Sequence, residues 1–188
     1  MPILRIVAVT LGLPLLLGGT SAAWAATTLE SGHPVVWWSA ANWSGYVVTD
    51  TAPYTRVTGE WVVPRIANTL EPTASAAWIG IGGWSGNGLI QAGTSQNVRA
   101  DGHAHFDAWW EILPATATVI PGFVVKPGDQ MFASIVQNSH GQWWTISLDN
   151  LTTGQLFSTV QRYHGLETSA EWVLEMPTPA LAHYGQRQ

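Results

Sequence analysis

Residues 77–93 read AWIGIGGWSGNGLIQAG, two short apolar runs joined by a glycine-rich connection. Successive side chains of a β-strand point to opposite faces, so Ile79 and Ile81 share one face of the first run. The glycines within 83–88 favour a turn, after which the second run returns beside the first. The stretch therefore predicts a β-hairpin with one apolar face. The other face of its first strand carries one indole and otherwise bare backbone, at Trp78, Gly80 and Gly82.

Gln91 is the polar side chain in the middle of the second run. Period-2 alternation places it on the face that carries Trp78, while Ile90 faces the core. A buried primary amide without hydrogen-bond partners costs about 1 to 3 kcal/mol, so its presence in an apolar strand needs a reason. Glycine within a strand often marks the close approach of another chain or a ligand. We therefore hypothesise that Gln91 lines a substrate groove and points its NH2 group at a reacting carbonyl.

The chain beyond the hairpin also has the pattern of short strands. Runs rich in Val, Ile, Trp, Tyr, Phe and Thr alternate with turn residues, and no segment has a helical period. This pattern predicts a single all-β domain, an antiparallel sandwich or barrel. The predicted strands are 46–49, 56–63, 74–82, 89–94, 103–113, 123–125, 130–137, 142–150, 155–161 and 169–175.

The composition narrows the class of protein. The 188 residues include 12 tryptophans and no cysteine, so a sufficiently large hydrophobic core must hold the fold without disulfides. Only 10% of the residues are charged, with 7 Lys and Arg against 12 Asp and Glu. Nucleic-acid binding requires clustered cations along the phosphate backbone, so we expect no nucleic-acid partner.

The N-terminus has the pattern of a secretory signal peptide over residues 1–25. Arg5 precedes an apolar run, and a small-residue cleavage pattern follows at 23–25. The apolar run is too short for a helix that spans a bilayer, which takes about 20 residues. We predict a secreted protein without stable membrane association, with an uncleaved anchor as the alternative. Its parts are a signal peptide (1–25), a short N-terminal segment (26–41), a β-sandwich domain (42–175) and an irregular tail (176–188).

Alternation also sorts the later strands. In 169–175 it predicts Trp172 and Leu174 in the core, and it leaves Glu171 on the surface or in the wall of a groove. In 103–113 one face is apolar, and the other carries polar or aromatic side chains: His103, His105, Asp107, Trp109 and Glu111. The two histidines have no third ligand at a characteristic spacing, so we expect a hydrated strand face and no metal site.

Eight ordered sequence blocks resemble those of the glutamic peptidases, or eqolisins. They are NWSGY (42–46), WVVP (61–64), AWIGIGG (77–83), LIQAG (89–93), WEILP (110–114), PGD (127–129), NLTTG (150–154) and AEWVLE (170–175). Each block alone is a weak match, but the ordered set is specific and covers most of the chain after residue 41. The resemblance implies a concave β-sandwich of the concanavalin-like or jelly-roll type. It also implies acid-active endopeptidase chemistry by a Gln and Glu dyad.

The resemblance assigns roles residue by residue. The dyad glutamine falls on Gln91 and the dyad glutamate on Glu175, while Trp78 and Glu111 match supporting positions. Gly82 stands where the best-known fungal members have Asp, and their disulfides are absent too, which suggests a bacterial-type branch. In the implied reaction Glu175 takes a proton from the attacking water and returns it to the departing nitrogen. Gln91 donates hydrogen bonds to the oxyanion of the intermediate.

The same interpretation gives expectations for the groove. Trp78 and Trp109 are expected to position the peptide and exclude water, and Glu111 to orient Gln91 or the water. Gly80 and Gly82 are expected to let a substrate strand pair closely with the backbone. The expected partner is a polypeptide substrate, and the enzyme is expected to be a monomer that needs no cofactor.

Two other functions remain open from the residues. A tryptophan-lined sheet with two carboxylates, Glu111 and Glu175, also suits a β-sandwich glycoside hydrolase, if the carboxyl groups lie about 5 to 5.5 Å apart. A secreted module that binds sugars or peptides without turnover is the third option. Because the family usually continues through further strands after AEWVLE, we expect a chain that is short at its C-terminus, with unpaired sheet edges and weak stability or activity.

Overall fold

The computed structural model describes residues 35–39, 42–67, 72–86, 88–139 and 141–177. These residues form two antiparallel β-sheets and no helix, so the predicted all-β class is confirmed. The predicted signal peptide (1–25) and the tail from residue 178 onward lie outside the described residues.

Seven strands form the larger sheet and four form the smaller one. Strands are numbered along the chain. In spatial order the larger sheet contains β1 (Val35–Ser39), β2 (Trp43–Thr49), β11 (Ser169–Glu175), β4 (Thr73–Gly82), β5 (Leu89–Val98), β6 (Ala104–Ile112) and β7 (Thr118–Val119). The smaller sheet contains β10 (Gln155–Arg162), β9 (Trp143–Asn150), β8 (Gln130–Gln137) and β3 (Arg56–Val62). The last strand, β11, thus lies between β2 and β4, inside the larger sheet.

The main hydrophobic core lies between the two sheets. Ile79 and Ile81 of β4 belong to one buried cluster with the inner face of β9. Strand β9 alternates between inward and outward side chains, and its inward residues Trp144, Ile146 and Leu148 are completely buried. Burial of each such side chain contributes about 1.5 to 3 kcal/mol or more, so this cluster is the main source of stability.

Two tryptophans also connect the sheets through hydrogen bonds. Trp61 Nε1 of β3 donates to Thr94 Oγ1 of β5 at 2.9 Å, and Trp172 Nε1 of β11 donates to the Thr58 carbonyl of β3 at 2.8 Å. A buried indole N–H needs such a partner, so each bond favours one orientation of its ring. The Trp172 bond holds the inner face of β11 against β3 and leaves its acidic residues on the outer face.

Two predicted strands are longer in the structure, since β2 begins at Trp43 and β5 ends at Val98. The predictions also differ from the structure at three other places. Residues 123–125 are irregular, and the short strand β7 pairs with β6 instead. Strand β1 was not expected, and it pairs with β2 from within the segment predicted as 26–41. Leu174 is 51% exposed, contrary to its predicted place in the core. Alternation sets the side on which a residue lies, but four strands cannot cover the whole inner face of seven.

Candidate active site

The outer face of the larger sheet carries a cavity of about 540 Å³. It lies on the side of β11, β4 and β5 that faces away from the main core. No lysine, arginine or histidine lines it within the part of the chain that the structure describes. Its polar lining includes Asn42, Trp78, Gln91, Glu111, Glu171 and Glu175.

The register of the sheet brings most of these groups together. Glu171 of β11 pairs with Gly80 of β4, Gly80 pairs with Gln91 of β5, and Gln91 pairs with Glu111 of β6. Directly paired residues have their side chains on the same face, so these positions form one row across the sheet. Glu175 lies on the same face of β11, four residues further along the strand.

Gln91 and Glu111 are buried partners within this row. Each is only 6% exposed, and Gln91 Nε2 donates a hydrogen bond to Glu111 Oε2. Gln91 Oε1 is buried and has no hydrogen-bond partner among the described residues. A primary amide has two N–H donors, so one remains for another acceptor after the bond to Glu111 is made.

Both oxygens of the Glu175 carboxyl accept hydrogen bonds. Trp78 Nε1 donates to Oε2 at 2.9 Å, and Asn42 Nδ2 donates to Oε1 at 3.4 Å. Asn42 is itself held beside β11, because the backbone N–H of Met176 donates to its carbonyl oxygen at 2.6 Å. These contacts hold the carboxyl at one side of the cavity.

The carboxyl groups of Glu175 and Glu111 are electrostatically coupled. Burial raises the pKa of Glu175, although the bond from Trp78 acts in the opposite direction. Burial also raises the pKa of Glu111, and the charge on Glu175 raises it further, against the effect of Gln91. Like charges in one site disfavour double ionisation, so the pair carries a proton more readily than two separate glutamates would.

The glycines of β4 are explained by packing within the protein. A Cβ at Gly80 would lie 2.8 Å from the Leu89 side chain and 3.1 Å from the Trp78 ring. Gly82 has a φ of 86°, and a Cβ there would overlap the Tyr163 hydroxyl. Both edges of β4 are already paired, and neither glycine lines the cavity. The expectation that a substrate strand pairs here is therefore corrected.

Trp109 lies beside the cavity and does not line it. It is 8% exposed and packs in a second, smaller cluster with Trp78, Leu89 and Val173. Its place in the structure is therefore that of a support behind the residues that line the cavity, in contrast to the expected contact with the peptide.

Asn42 and Glu171 line the cavity, although the sequence pattern assigned Asn42 no role and left Glu171 either on the surface or in the wall of a groove. Asn42 opens the NWSGY block but lies 133 residues from Glu175, so only folding reveals their contact. Glu171 is only 4% exposed and lines the cavity. Of the two positions that alternation allowed, the surface and a groove wall, the structure therefore has the groove wall. The period-2 pattern that grouped it with Glu175 was the available signal.

The structure contains no metal-binding arrangement and no membrane-spanning helix within its described residues. His105 lies on the face of β6 that was predicted to be polar, and its Nε2 is 3.5 Å from Asp101 Oδ2.

Comparisons with known proteins identify the family and the fold. The Peptidase A4 family matches residues 41–187. Aspergillopepsin-2 of Aspergillus niger is 28% identical over 161 residues, which cover 72% of this chain and 55% of that protein. Scytalidopepsin B of Scytalidium lignicola is 28% identical over 140 residues, covering 72% and 51%. The chain therefore spans about half the length of the curated relatives it matches.

A solved structure is also similar. The crystal structure of scytalido-glutamic peptidase with a transition state analog inhibitor has a TM-score of 0.61 and 26% identity. The match covers 76% of this chain and 66% of that chain. The resemblance found in the eight sequence blocks and the predicted β-sandwich are both confirmed. The chain belongs to the Peptidase A4 family, the glutamic peptidases.

Proposed function

We propose that this protein is an acid-active endopeptidase in which Glu175 is the general base and acid and Gln91 is the oxyanion donor. The observation that carries the proposal is that both side chains line one cavity, each held by a neighbour on the same face. Membership of the Peptidase A4 family supports peptide-bond hydrolysis as the reaction. The substrate is a polypeptide that lies in the cavity on the outer face of the larger sheet.

Glu175 handles the proton in this proposal. The ionised carboxyl takes a proton from water as the water attacks the scissile carbonyl, and it returns that proton to the departing nitrogen. The N–H donors of Trp78 and Asn42 fix the carboxyl and stabilise its charged form. Since only the ionised form can accept a proton, the pKa of Glu175, which burial raises above that of an ordinary glutamate, sets the acid limb of the activity profile.

Gln91 stabilises the charge that develops on the carbonyl oxygen. One of its N–H groups is engaged by Glu111, and the other is available for the oxyanion. An amide has no charge of its own, so it leaves the ionisation of Glu175 undisturbed. A second carboxylate in the position of Gln91 would disfavour that ionisation. A donor fixed about 2.7 to 3.1 Å from the oxyanion contributes a factor of about 100 to 1,000 in rate.

The glycoside hydrolase alternative is less well supported. It would need Glu111 as a free acid or nucleophile, whereas Glu111 accepts a hydrogen bond from Gln91 inside a buried row. The family match also favours peptide over glycoside hydrolysis.

Secretion is part of the proposal and depends on the signal-like pattern of residues 1–25. The monomeric state expected from the sequence also remains a proposal.

Hydrolysis of denatured casein at pH 3 to 8 tests the dyad. Gln91→Ala and Glu175→Gln are compared with wild type and with two matched controls, Gln130→Ala and Glu60→Gln, at exposed positions of the smaller sheet. We expect losses of about 100-fold or more for the dyad variants, and wild-type rates for the controls. Equal activity in all five proteins would contradict the proposal, and complete inactivity of the folded wild type would favour a binding module.

A further inference from the structure

Glu171 has an incomplete set of hydrogen-bond partners although it is 4% exposed. Its Oε1 accepts a bond from Ser169 Oγ at 2.7 Å, and the backbone N–H of Trp84 also favours the ionised carboxyl. Its Oε2 is buried and has no partner among the described residues. An unsatisfied buried oxygen requires an explanation. Because Glu171 lines the cavity, a rotation of its side chain that exposes Oε2 would let a ligand supply the missing partner.

The protonation state of Glu171 determines what that partner is. Burial raises its pKa to about 7, although the bonds from Ser169 and Trp84 act in the opposite direction. The carboxyl is therefore neutral in acid and has one O–H donor. Because the Ser169 hydroxyl donates to Oε1, the proton belongs on Oε2. This group needs a hydrogen-bond acceptor.

Among the residues that the structure describes, none beside Glu171 supplies a positive charge. Its register partners on the flanking strands are Val47 and Gly80, which do not titrate. Tyr163, in the segment before β11, feels the charge on Glu171, but its hydroxyl donates to backbone carbonyls. The other titratable groups in the cavity wall are the acids Glu111 and Glu175.

We propose that Glu171 is a substrate-binding residue that donates a hydrogen bond from its carboxyl O–H to a backbone carbonyl oxygen of the bound peptide, away from the scissile bond. Glu171 and Gln91 are separated by two interstrand spacings, about 10 Å between their Cα atoms. An extended peptide covers that distance in about three residues. The subsite therefore favours longer peptides whatever their side chains. The proposal deepens the proposed function, on which it rests for the identity of the ligand.

The test compares peptide lengths. A capped octapeptide without ionisable side chains and the capped tetrapeptide of its centre are titrated calorimetrically against Glu175→Gln protein, which keeps the binding readout free of turnover. At pH 5, adding Glu171→Met is expected to weaken octapeptide binding about three- to tenfold, the effect of one neutral hydrogen bond. Glu171→Gln retains a donor and is expected to bind like the parent. Tetrapeptide binding should be the same in all three proteins.

A pH series adds a readout that a purely structural role would not change. The parent is expected to lose its preference for the octapeptide as pH rises through about 7, because the donor proton is lost. The Glu171→Gln protein should keep that preference at every pH. If Glu171→Met does not fold, as judged by a thermal melt, the parent and Glu171→Gln still provide this comparison.

Several outcomes would overturn the assignment. They are equal weakening for both peptide lengths, unchanged octapeptide binding in the folded Met variant, and a preference at pH 5 for a lysine-containing peptide that depends on Glu171. The proposed peptidase function can fail separately. Octapeptide binding with the expected length dependence, but without casein hydrolysis by wild type, would support the subsite and reject the dyad.

Discussion

The two ends of β11 place a glutamate on the same face in different surroundings. At one end, both oxygens of Glu175 accept hydrogen bonds, from Trp78 and Asn42. At the other end, Glu171 is more deeply buried and has one oxygen without a partner among the described residues. Burial raises both pKa values, and that of Glu171 reaches about 7. The difference teaches that the depth of burial, with similar numbers of donors, decides whether such an acid suits proton transfer or neutral hydrogen bonding.

The largest expected effect is the pH dependence of stability caused by Glu171. Its pKa is raised in the folded state, so its contribution is fully present below about pH 4.5 and is lost as pH rises through about 7. The loss is on the order of 3 kcal/mol at most. Urea unfolding of wild type and Glu171→Gln from pH 4 to 8 measures it. Because Glu111 and Glu175 act in the same direction, only the difference between the two proteins isolates Glu171. If the unfolding free energy depends on pH identically in the two proteins, Glu171 makes no such contribution and its contrast with Glu175 is lost.

Trp78→Phe is expected to have the next largest effect, on activity. It keeps most of the ring but removes the N–H that donates to Glu175 Oε2. We expect the pKa of Glu175 to rise further, the acid limb of the pH–rate profile to move to higher pH, and kcat to fall about tenfold. Trp143→Phe, an exposed position on β9, is the control. An unchanged profile would mean that this bond does not tune Glu175.

Asn42→Ala is expected to have a smaller effect in the same direction. Its bond to Glu175 Oε1 is 3.4 Å long, near the limit for a hydrogen bond, so we expect only a two- to threefold loss of kcat, about 0.5 kcal/mol. The same pH–rate measurement checks it. A loss as large as that of Trp78→Phe would show that the two donors hold the carboxyl equally.

Leu174→Ala is expected to have the smallest effect. Leu174 lies on the opposite face of β11 from the two glutamates and is 51% exposed, so we expect a change in unfolding free energy of about 0.5 kcal/mol or less. Ile79→Ala, at a buried position on the neighbouring strand, should cost about 2 to 5 kcal/mol. Urea unfolding measures both. Similar losses of unfolding free energy in the two variants would mean that Leu174 is part of the core.

Part of the site could be predicted because its signals are local. The alternation in AWIGIGG and LIQAG correctly grouped Trp78 with Gln91 on one face. The same rule failed for Leu174, since exposure depends on whether another sheet covers the residue. Alternation also left Glu171 either on the surface or in the wall of a groove, because it does not show what covers a residue.

Other parts of the site could not be predicted because they depend on distant segments. Asn42 approaches Glu175 only because β11 lies between β2 and β4. Gly82 was assigned to the substrate, yet the space beside it is filled by Tyr163, from a separate part of the chain. No period or spacing in the sequence encodes these contacts.

The sequence by itself determined the β class, the face on which most strand residues lie, and, through its ordered blocks, the family. These properties follow from alternation and turn chemistry, which act over a few residues. Only the tertiary structure decided which strands are neighbours, which donors reach Glu175, and why Glu171 is neutral in acid. Desolvation and hydrogen bonding are set by the groups that surround a side chain, and here those groups come from opposite ends of the described chain.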